Sequence, residues 1–230
     1  MATSGTTSFN LDLTELVEEA FERAGSEMRS GYDLKTARRS LNLMFTEWAN
    51  RGINMWTIES GEIPLVAGTG QYDLPADTVD LIEHVLRTGS GNAATQSDLS
   101  CSRISVSTYA SIPNKLVTGR PIQVYIDRVA PTPNINVWPI PDGTQTYTLV
   151  YWRLRRIQDA GGGVNTMDVP FRFLNCMVAG LAFMLAMKVP SGMDRLGVLK
   201  AQYDEAWDLA ATEDRDKSSI RFVPRYMSIS

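Results

Sequence analysis

Histidine and cysteine are scarce in this sequence. Its 230 residues include one histidine, His84, and two cysteines, Cys101 and Cys176. A single histidine excludes zinc sites built on two or more histidine ligands, and no Cys-x-x-Cys pair is present. So few cysteines suit a reducing cytoplasm better than a disulfide-stapled fold. The sequence therefore predicts buried thiols, no metal site and no bound cofactor.

Signatures of catalysis are missing as well. The sequence has no Walker loop and no nucleophile elbow, and His84 lies in a strand-like run, where a solvent-facing or hydrogen-bonded histidine is the common case. Asp73, Asp77 and Asp80 lie close together but lack the glycine and the closing glutamate of an EF-hand loop, so turn capping or solvation accounts for them. We predict no catalytic residue and no enzyme.

Excess positive charge and long apolar runs are also lacking. The net charge of −4 argues against a protein that grips DNA phosphates over a wide face. The most apolar run, 171–189, contains Arg172, Asn175 and Lys188, so its uninterrupted apolar span is too short for a bilayer. We expect a buried core helix there and no membrane span.

One short motif, Gly68 to Gly70, has two interpretations. A phosphate-binding loop would run from its glycines directly into a helix. Here Tyr72 and Leu74 follow the glycines and alternate with polar residues at the period of a strand, and Pro75 prevents a helix. The motif therefore predicts the turn of a β-hairpin.

Apolar residues at both ends of the sequence have helical spacing. The predicted helices are an N-terminal pair, from Asp12 to Gly25 and from near Asp33 to Gly52, and a C-terminal pair, 168–188 and 193–212. Between the pairs, short segments of period 2 predict strands at 56–59, 62–67, 71–74, 79–87, 122–129, 134–139 and 146–156. Residues 89–100 are expected to form an exposed loop, and 105–112 one or two helical turns.

These elements predict an α+β fold. The N- and C-terminal helix pairs are expected to pack as one four-helix bundle, because each pair has one apolar stripe to bury. An antiparallel β-rich domain, sandwich or barrel-like, is inserted between them. The predicted boundaries are a flexible N-terminus at 1–9, a discontinuous helical domain at 10–54 and 165–213, the β-rich insert at 55–164, and an extended C-terminal tail at 214–230.

Two segments are candidates for contact with partners. Strand alternation places Arg153 and Arg155 on one face, next to Arg156, and we expect this basic strip to pair with acidic residues of a neighbouring subunit, with a DNA channel as the alternative. The tail is too short for a domain, yet it has apolar and basic residues that a partner surface could bury. Its candidate contact residues are Ile220, Arg221, Phe222, Val223, Arg225 and Tyr226.

Two longer stretches of the sequence combine several of these motifs in a characteristic order. LNLMFTEWANRGINMWTIESGEIPLVAGTGQYDLPADTVDLIEHV, residues 41–85, joins a helix ending in Trp-x-x-x-Gly to the Gly-x-Gly turn, Tyr-Asp-Leu-Pro and an aspartate-rich turn. VPFRFLNCMVAGLAFMLAMKVP is residues 169–190. With the architecture, they resemble the head-to-tail adaptor (connector) proteins of short-tailed bacteriophages, the tail tubular protein A class. The resemblance covers most of residues 10–212.

The resemblance implies a structural virion protein at the head–tail interface, made in the host cytoplasm. Twelve copies would form a ring around a channel, with the helical bundle docked under the portal protein and the β domain toward the tail nozzle protein. Duplex DNA would pass through the channel during genome ejection without sequence-specific binding. The C-terminal tail of related adaptors embraces the portal, which suits the apolar and basic tail of this chain.

Two other functions stay open on sequence grounds. Tyr72, Trp138 and Trp152 would form the sugar platform of a carbohydrate-binding or hydrolytic tail module built on the β-rich insert. A transcription or replication accessory factor would instead bind duplex DNA in a salt-dependent way.

Overall fold

The computed structural model describes residues 3–29, 31–52, 55–215 and 217. Contacts divide the chain into two compact units. The first, Met1–Met44 with Ala160–Ser230, is called the helical unit below, and the second, Phe45–Asp159, is called the β unit.

Helices and strands are largely segregated along the chain, as in an α+β protein, which confirms the predicted fold class at that level. The described α-helices are α1 Leu13–Ala24, α2 Gly31–Asn50, α3 Val106–Ser111, α4 Leu174–Ala186 and α5 Leu196–Glu213. The described strands are β1 Ile58–Leu65, β2 Gln71–Asp73, β3 Thr78–Thr88, β4 Ser97–Ser100, β5 Ser102–Ile104, β6 Gln123–Asp127, β7 Asn134–Trp138 and β8 Tyr147–Arg155. Short 3-10 turns cover Met55–Thr57, Phe171–Phe173 and Pro190–Arg195.

Helix α1 begins and ends where its sequence predicts. The Asp12 side chain accepts a hydrogen bond from the backbone N–H of Glu15, and the Glu15 side chain accepts one from the backbone N–H of Asp12, which forms a complete capping box. Gly25 caps the C-terminus. The backbone N–H groups of Leu13 and Thr14, in the first turn of α1, donate to the carbonyls of Asn165 and Gly163. A glycine-rich segment, residues 161–165, thus satisfies the first N–H groups of this helix.

Helix α4 is the centre of the helical unit. Every residue of α4 except Asn175, Phe183 and Met184 is buried, and the helix packs against α1 and α5. Gly180 lies where neighbours come closest. A Cβ atom added there would lie 2.5 Å from the Met44 sulfur of α2 and 2.8 Å from the Tyr203 ring of α5. The absence of a side chain at this position therefore lets α2 and α5 approach α4.

The C-terminal helices begin later than predicted. Pro170 has an extended backbone, with φ −61° and ψ 153°, so the residues around it form a 3-10 turn before α4 begins at Leu174. Pro190 likewise opens a 3-10 turn, and α5 begins only at Leu196. Both prolines start a tighter turn that precedes the α-helix, instead of occupying its first turn. No helix within the described ranges is long and apolar enough to cross a membrane.

The β unit contains two four-stranded sheets that share one core. The first sheet has the order β1-β8-β3-β4 and the second the order β2-β7-β6-β5. All pairs are antiparallel except β5 with β6, which is parallel, so the second sheet is mixed. Apolar residues of both sheets meet in one cluster, the arrangement of a β-sandwich, with Leu74, Leu81, Val124, Ile126, Ile135, Val137, Leu149 and Tyr151 as its buried members.

The predicted β-hairpin at Gly68 to Gly70 is wrong. The strands on its two sides do not pair with each other, because β1 pairs with β8 and β2 pairs with β7. The chain changes sheet at this turn, where Gly68 has a φ of +78°. The Tyr72 hydroxyl holds the turn by accepting from the backbone N–H of Val66 at 2.8 Å and donating to the carbonyl of Thr69 at 2.9 Å. Period-2 alternation identified the strands correctly, but it carries no information on which strand each one pairs with.

The expected loop at 89–100 contains a strand, and a second strand follows it. Ser97–Ser100 pairs with β3, and Ser102–Ile104 pairs with β6. Both are short and largely exposed at the ends of their sheets. Both strands are polar because an edge strand needs few buried side chains. Alternation of apolar residues therefore does not reveal them in the sequence. The two strands predicted at 56–59 and 62–67 are in fact one, since pairing with β8 continues through Ser60 and Gly61.

The close approach at Gly180 yields a test. We expect Gly180→Leu to lower the free energy of unfolding by about 3 kcal/mol or to prevent folding, because the new side chain would overlap Met44 and Tyr203. The matched control is Gly197→Leu in α5, where an added Cβ meets no atom of a described residue within 4 Å, and its effect should stay within about 0.5 kcal/mol. Urea denaturation followed by circular dichroism measures both. Equal stability of the two variants would contradict the packing described for α4.

Candidate interface sites

Two arginines of β8 lie in an ion-pair cluster inside the β unit. Arg153 donates to both carboxylate oxygens of Asp77, at 2.6 and 3.2 Å, to Glu59 at 2.8 Å and to the Thr78 hydroxyl at 2.9 Å. Arg155 donates to the other oxygen of Glu59 at 2.6 Å. The guanidinium groups are buried, while the two carboxylates are partly exposed. The cluster therefore ties β8 to β1 and to the start of β3 through charge-assisted hydrogen bonds.

The charge state of Asp77 follows from this geometry. Hydrogen bonds from Arg153 hold the pKa of the Asp77 carboxyl below its usual range, against an opposing effect of burial. Asp77 is thus ionised near neutral pH.

The structure gives the predicted basic strip an unexpected environment. Arg153 and Arg155 do share a face, as predicted, but it is the inner face of their strand, and the acidic partners in the structure come from the same chain. Arg156 is exposed. Sequence reasoning missed Glu59 and Asp77 as partners because they lie many residues away from β8, and no local pattern links them. A role of the strip between subunits or along a channel stays a proposal.

Acidic residues near β3 serve as arginine partners. Asp80 accepts from Arg103 at 2.7 Å and lies 3.0 Å from Arg128. Arg87 reaches Asp98 of β4 with two donors and Glu62 of β1 with a third. Turn capping or simple solvation, expected for Asp77 and Asp80, is therefore incomplete. Asp80 does accept from the backbone N–H of Leu81 at 2.9 Å and Asp77 is partly exposed, but both carboxylates also form ion pairs. No group of three or more His, Cys, Asp or Glu residues among those described is placed to hold a metal ion.

His84 and Cys101 lie next to each other in the β unit without a catalytic arrangement. Burial lowers the pKa of His84, and its Nε2 atom has no hydrogen-bond partner among the described residues. Burial also raises the pKa of the Cys101 thiol to about 11, so this thiol stays protonated at neutral pH. The neutral imidazole and the protonated thiol fit a structural role for both.

The three aromatic residues of the sugar-platform hypothesis do not lie on one sheet. Tyr72 and Trp138 belong to the second sheet and Trp152 to the first. The Tyr72 hydroxyl is engaged in the turn at Val66 to Thr69, and the Trp138 indole N–H donates to the carbonyl of Asn114 at 3.1 Å. The structure does not bring these residues together as a platform.

A wide open groove lies on the helical unit. Its main part, of about 720 Å³, lies between α1 and the start of α4. Two adjoining cavities of about 450 and 210 Å³ extend it along α4 toward α5. Asn175 lines all three. We call this continuous surface the α4 groove.

Apolar side chains form the floor of the α4 groove and glutamates form much of its rim. Phe9, Phe171 and Leu209 are respectively 76%, 77% and 65% exposed in it. Its charged lining consists of Glu15, Glu18, Glu19, Glu22, Glu205, Glu213, Arg23 and Arg172. An exposed apolar surface with a charged rim is typical of a protein-docking site. Sequence reasoning missed it, because its lining comes from three helices and from the segment before α1.

The tail residues predicted to bind a partner lie outside the described residues. These are Ile220, Arg221, Phe222, Val223, Arg225 and Tyr226. Helix α5 ends at Glu213 with Asp214 as its cap, and Lys217 is the last residue that the structure describes.

Comparison with known proteins gives a family for this chain. The family model described as SU10 adaptor protein matches residues 11–225, which is most of the sequence. This match confirms the resemblance to phage head-to-tail adaptors that was inferred from residues 41–85 and 169–190. No curated protein matches the chain.

The ion-pair cluster predicts unequal effects of neighbouring arginines. We expect Arg153→Ala to lower the free energy of unfolding of the β unit by about 2 kcal/mol, because it leaves Asp77 and Thr78 without their donor and removes a buried stem. The estimate is kept low because Asp77 and Glu59 are partly exposed. Arg156→Ala is the matched control, with an expected change under about 0.5 kcal/mol. Chemical denaturation measures both, and equal losses would contradict the cluster as described.

His84 predicts a dependence of stability on pH. Because burial lowers its pKa in the folded chain, the folded state binds a proton less readily than the unfolded state. Stability should be full above the unfolded histidine pKa of about 6.5 and should fall as the pH decreases below it. His84→Gln should remove this slope between about pH 7 and pH 5, where no other histidine titrates. Urea midpoints at both pH values test this, and an unchanged slope in the variant would contradict it.

Proposed function

The chain belongs to the SU10 adaptor protein family, and on that premise we propose that it joins the portal to the tail of a bacteriophage virion as a head-to-tail adaptor. The adaptor family is structural, and the family match along most of the chain is the observation that carries the proposal. Portal protein on one side and tail nozzle protein on the other are the proposed partners.

Symmetric assembly is the proposed mechanism. We place about twelve copies in a ring, the number that the resemblance to tail tubular proteins implies, with duplex DNA passing through the centre during genome ejection. The net charge of −4 supports a channel that does not capture DNA, because tight binding to phosphates requires an excess of basic residues.

The helical unit is the proposed portal-facing part. In this proposal α1, α2, α4 and α5 act as one four-helix bundle, supported by the packing of α4 against α1 and α5 and by the closeness of Met44 to Gly180. The exposed apolar residues of the α4 groove also favour protein contacts on this unit.

The C-terminal tail is the proposed portal-binding segment. Residues 218–230 contain Arg221 and Arg225, no acidic residue, and several apolar side chains. A segment of this composition gains little by folding alone and can bury its apolar residues on a partner.

The basic strip has a narrower proposed role. Because Arg153 and Arg155 are buried and paired within the chain, Arg156 is the member that remains for a neighbouring subunit or the channel wall. Its exposed guanidinium suits a rim contact, which contributes to the specificity of assembly more than to its strength.

Deleting residues 218–230 tests the portal contact. We expect the deletion to weaken portal binding at least tenfold, because it removes the apolar and basic side chains proposed to touch the portal. The fold should stay intact, as judged by circular dichroism. Electron microscopy and sedimentation of the chain mixed with the portal of the same virus measure the complex.

The control for the deletion carries Ser228→Ala and Ser230→Ala, which keep every apolar and basic residue of the tail. It should bind like the unmodified chain. Undiminished portal binding by the deletion would remove the tail from the proposal, and a bare portal with the unmodified, folded chain would overturn the adaptor function itself.

A further inference from the structure

The α4 groove has acidic residues without partners. Its arginines are engaged, since Arg23 pairs with Glu19 at 2.8 Å and donates to Asn175 at 3.1 Å, and Arg172 donates to the carbonyl of Glu213 at 2.8 Å. Glu18 and Glu22 are exposed on α1 and have no ion pair within the part of the chain that the structure describes. The groove therefore presents uncompensated negative charge beside apolar surface, and its best ligand is a basic segment with apolar side chains.

The sequence contains one such segment at the point where the described chain ends. Residues 218–230, SSIRFVPRYMSIS, combine Arg221 and Arg225 with Ile220, Phe222, Val223, Tyr226, Met227 and Ile229, and they include no acidic residue. This composition complements the groove in both charge and apolar content.

The position of the chain end brings this segment to the groove. Helix α5 ends at Glu213, which lines the groove, and the Lys217 ammonium lies 2.5 Å from the Glu213 carboxylate. Lys217 therefore lies next to a residue that lines the groove. The segment that follows has thirteen residues and spans about 43 Å when extended, at about 3.3 Å per residue. Helix α4, which runs beneath the groove, has 13 residues and a length of about 20 Å, at about 1.5 Å per residue.

We propose that, in the free subunit, the α4 groove binds residues 218–230 of the same chain. Tethering at Lys217 gives this segment an effective concentration of about a millimolar or more at the groove, an advantage that no separate molecule has. The proposal goes beyond the portal contact, because it concerns the subunit before any partner is present. Its consequence is that the tail must leave the groove before it binds elsewhere, which uncovers an apolar surface only at assembly.

A photo-crosslinker in the groove tests the proposal on the full-length chain alone. Phe171, which is 77% exposed, is replaced by p-benzoylphenylalanine, and Val198, which is 62% exposed on α5 outside the groove, is replaced in the control. After irradiation of dilute protein, we expect mass spectrometry of the monomer band to detect a cross-link between position 171 and a peptide from residues 218–230. The control should give no such product.

Charge reversal adds a second readout. Glu18→Arg with Glu22→Arg should lower the cross-link yield by about fivefold at low salt, and Arg221→Glu with Arg225→Glu should do the same. Combining all four changes should restore the yield. Glu27→Arg, at a residue 80% exposed outside the groove, is the matched control and should leave the yield unchanged.

Other outcomes identify other occupants of the groove and overturn the proposal. Cross-links to 218–230 found only in dimers or larger species would show that the tail of another copy fills the groove. Absence of any tail cross-link in the monomer, with the chain folded by circular dichroism, would leave the groove to a separate partner. Because no portal is present in this experiment, its failure is distinct from failure of the adaptor function.

Discussion

Burial of α4 is the constraint on which the helical unit depends. A helix that is apolar on almost all sides cannot be covered by one neighbour, so it needs helices packed around it. The chain supplies α1 from before the β unit and α5 from after it, and Met44 of α2 reaches Gly180 as well. The β unit is therefore an insertion in a helical unit whose parts come from both ends of the sequence.

The β unit depends in a similar way on its strand β8. This strand lies between β1 and β3, and it brings Leu149 and Tyr151 to the shared core and Arg153 and Arg155 to the ion-pair cluster. Apolar burial and paired charge thus follow each other along one strand. Burial of its apolar side chains stabilises the core without specifying how the strands align. The ion pairs of its arginines are directional, so they fix the register of β8 against its neighbours.

Local signals were readable from the sequence, and distant ones were not. The Asp12 and Glu15 capping pair and Gly25 define α1 within a few residues, so its ends were predicted correctly. The partners of Arg153 are far away in sequence, and the exposed strand β4 has no apolar alternation, so both were missed. The α4 groove could not be foreseen either, because its lining exists only after three helices pack together.

The pairing of β1 with β8 also sets an order of events during synthesis. Leu65 pairs with Tyr147 and Ile58 with Leu154, so the first strand must wait for the last one to leave the ribosome. The helical unit waits longer, since α4 and α5 follow the β unit. Contacts so distant along the chain slow folding and expose unpaired strands in the meantime. The β unit therefore stays incomplete until β8 has been made, and the helical unit until α5 has been made, so each fold is completed by one of its last elements.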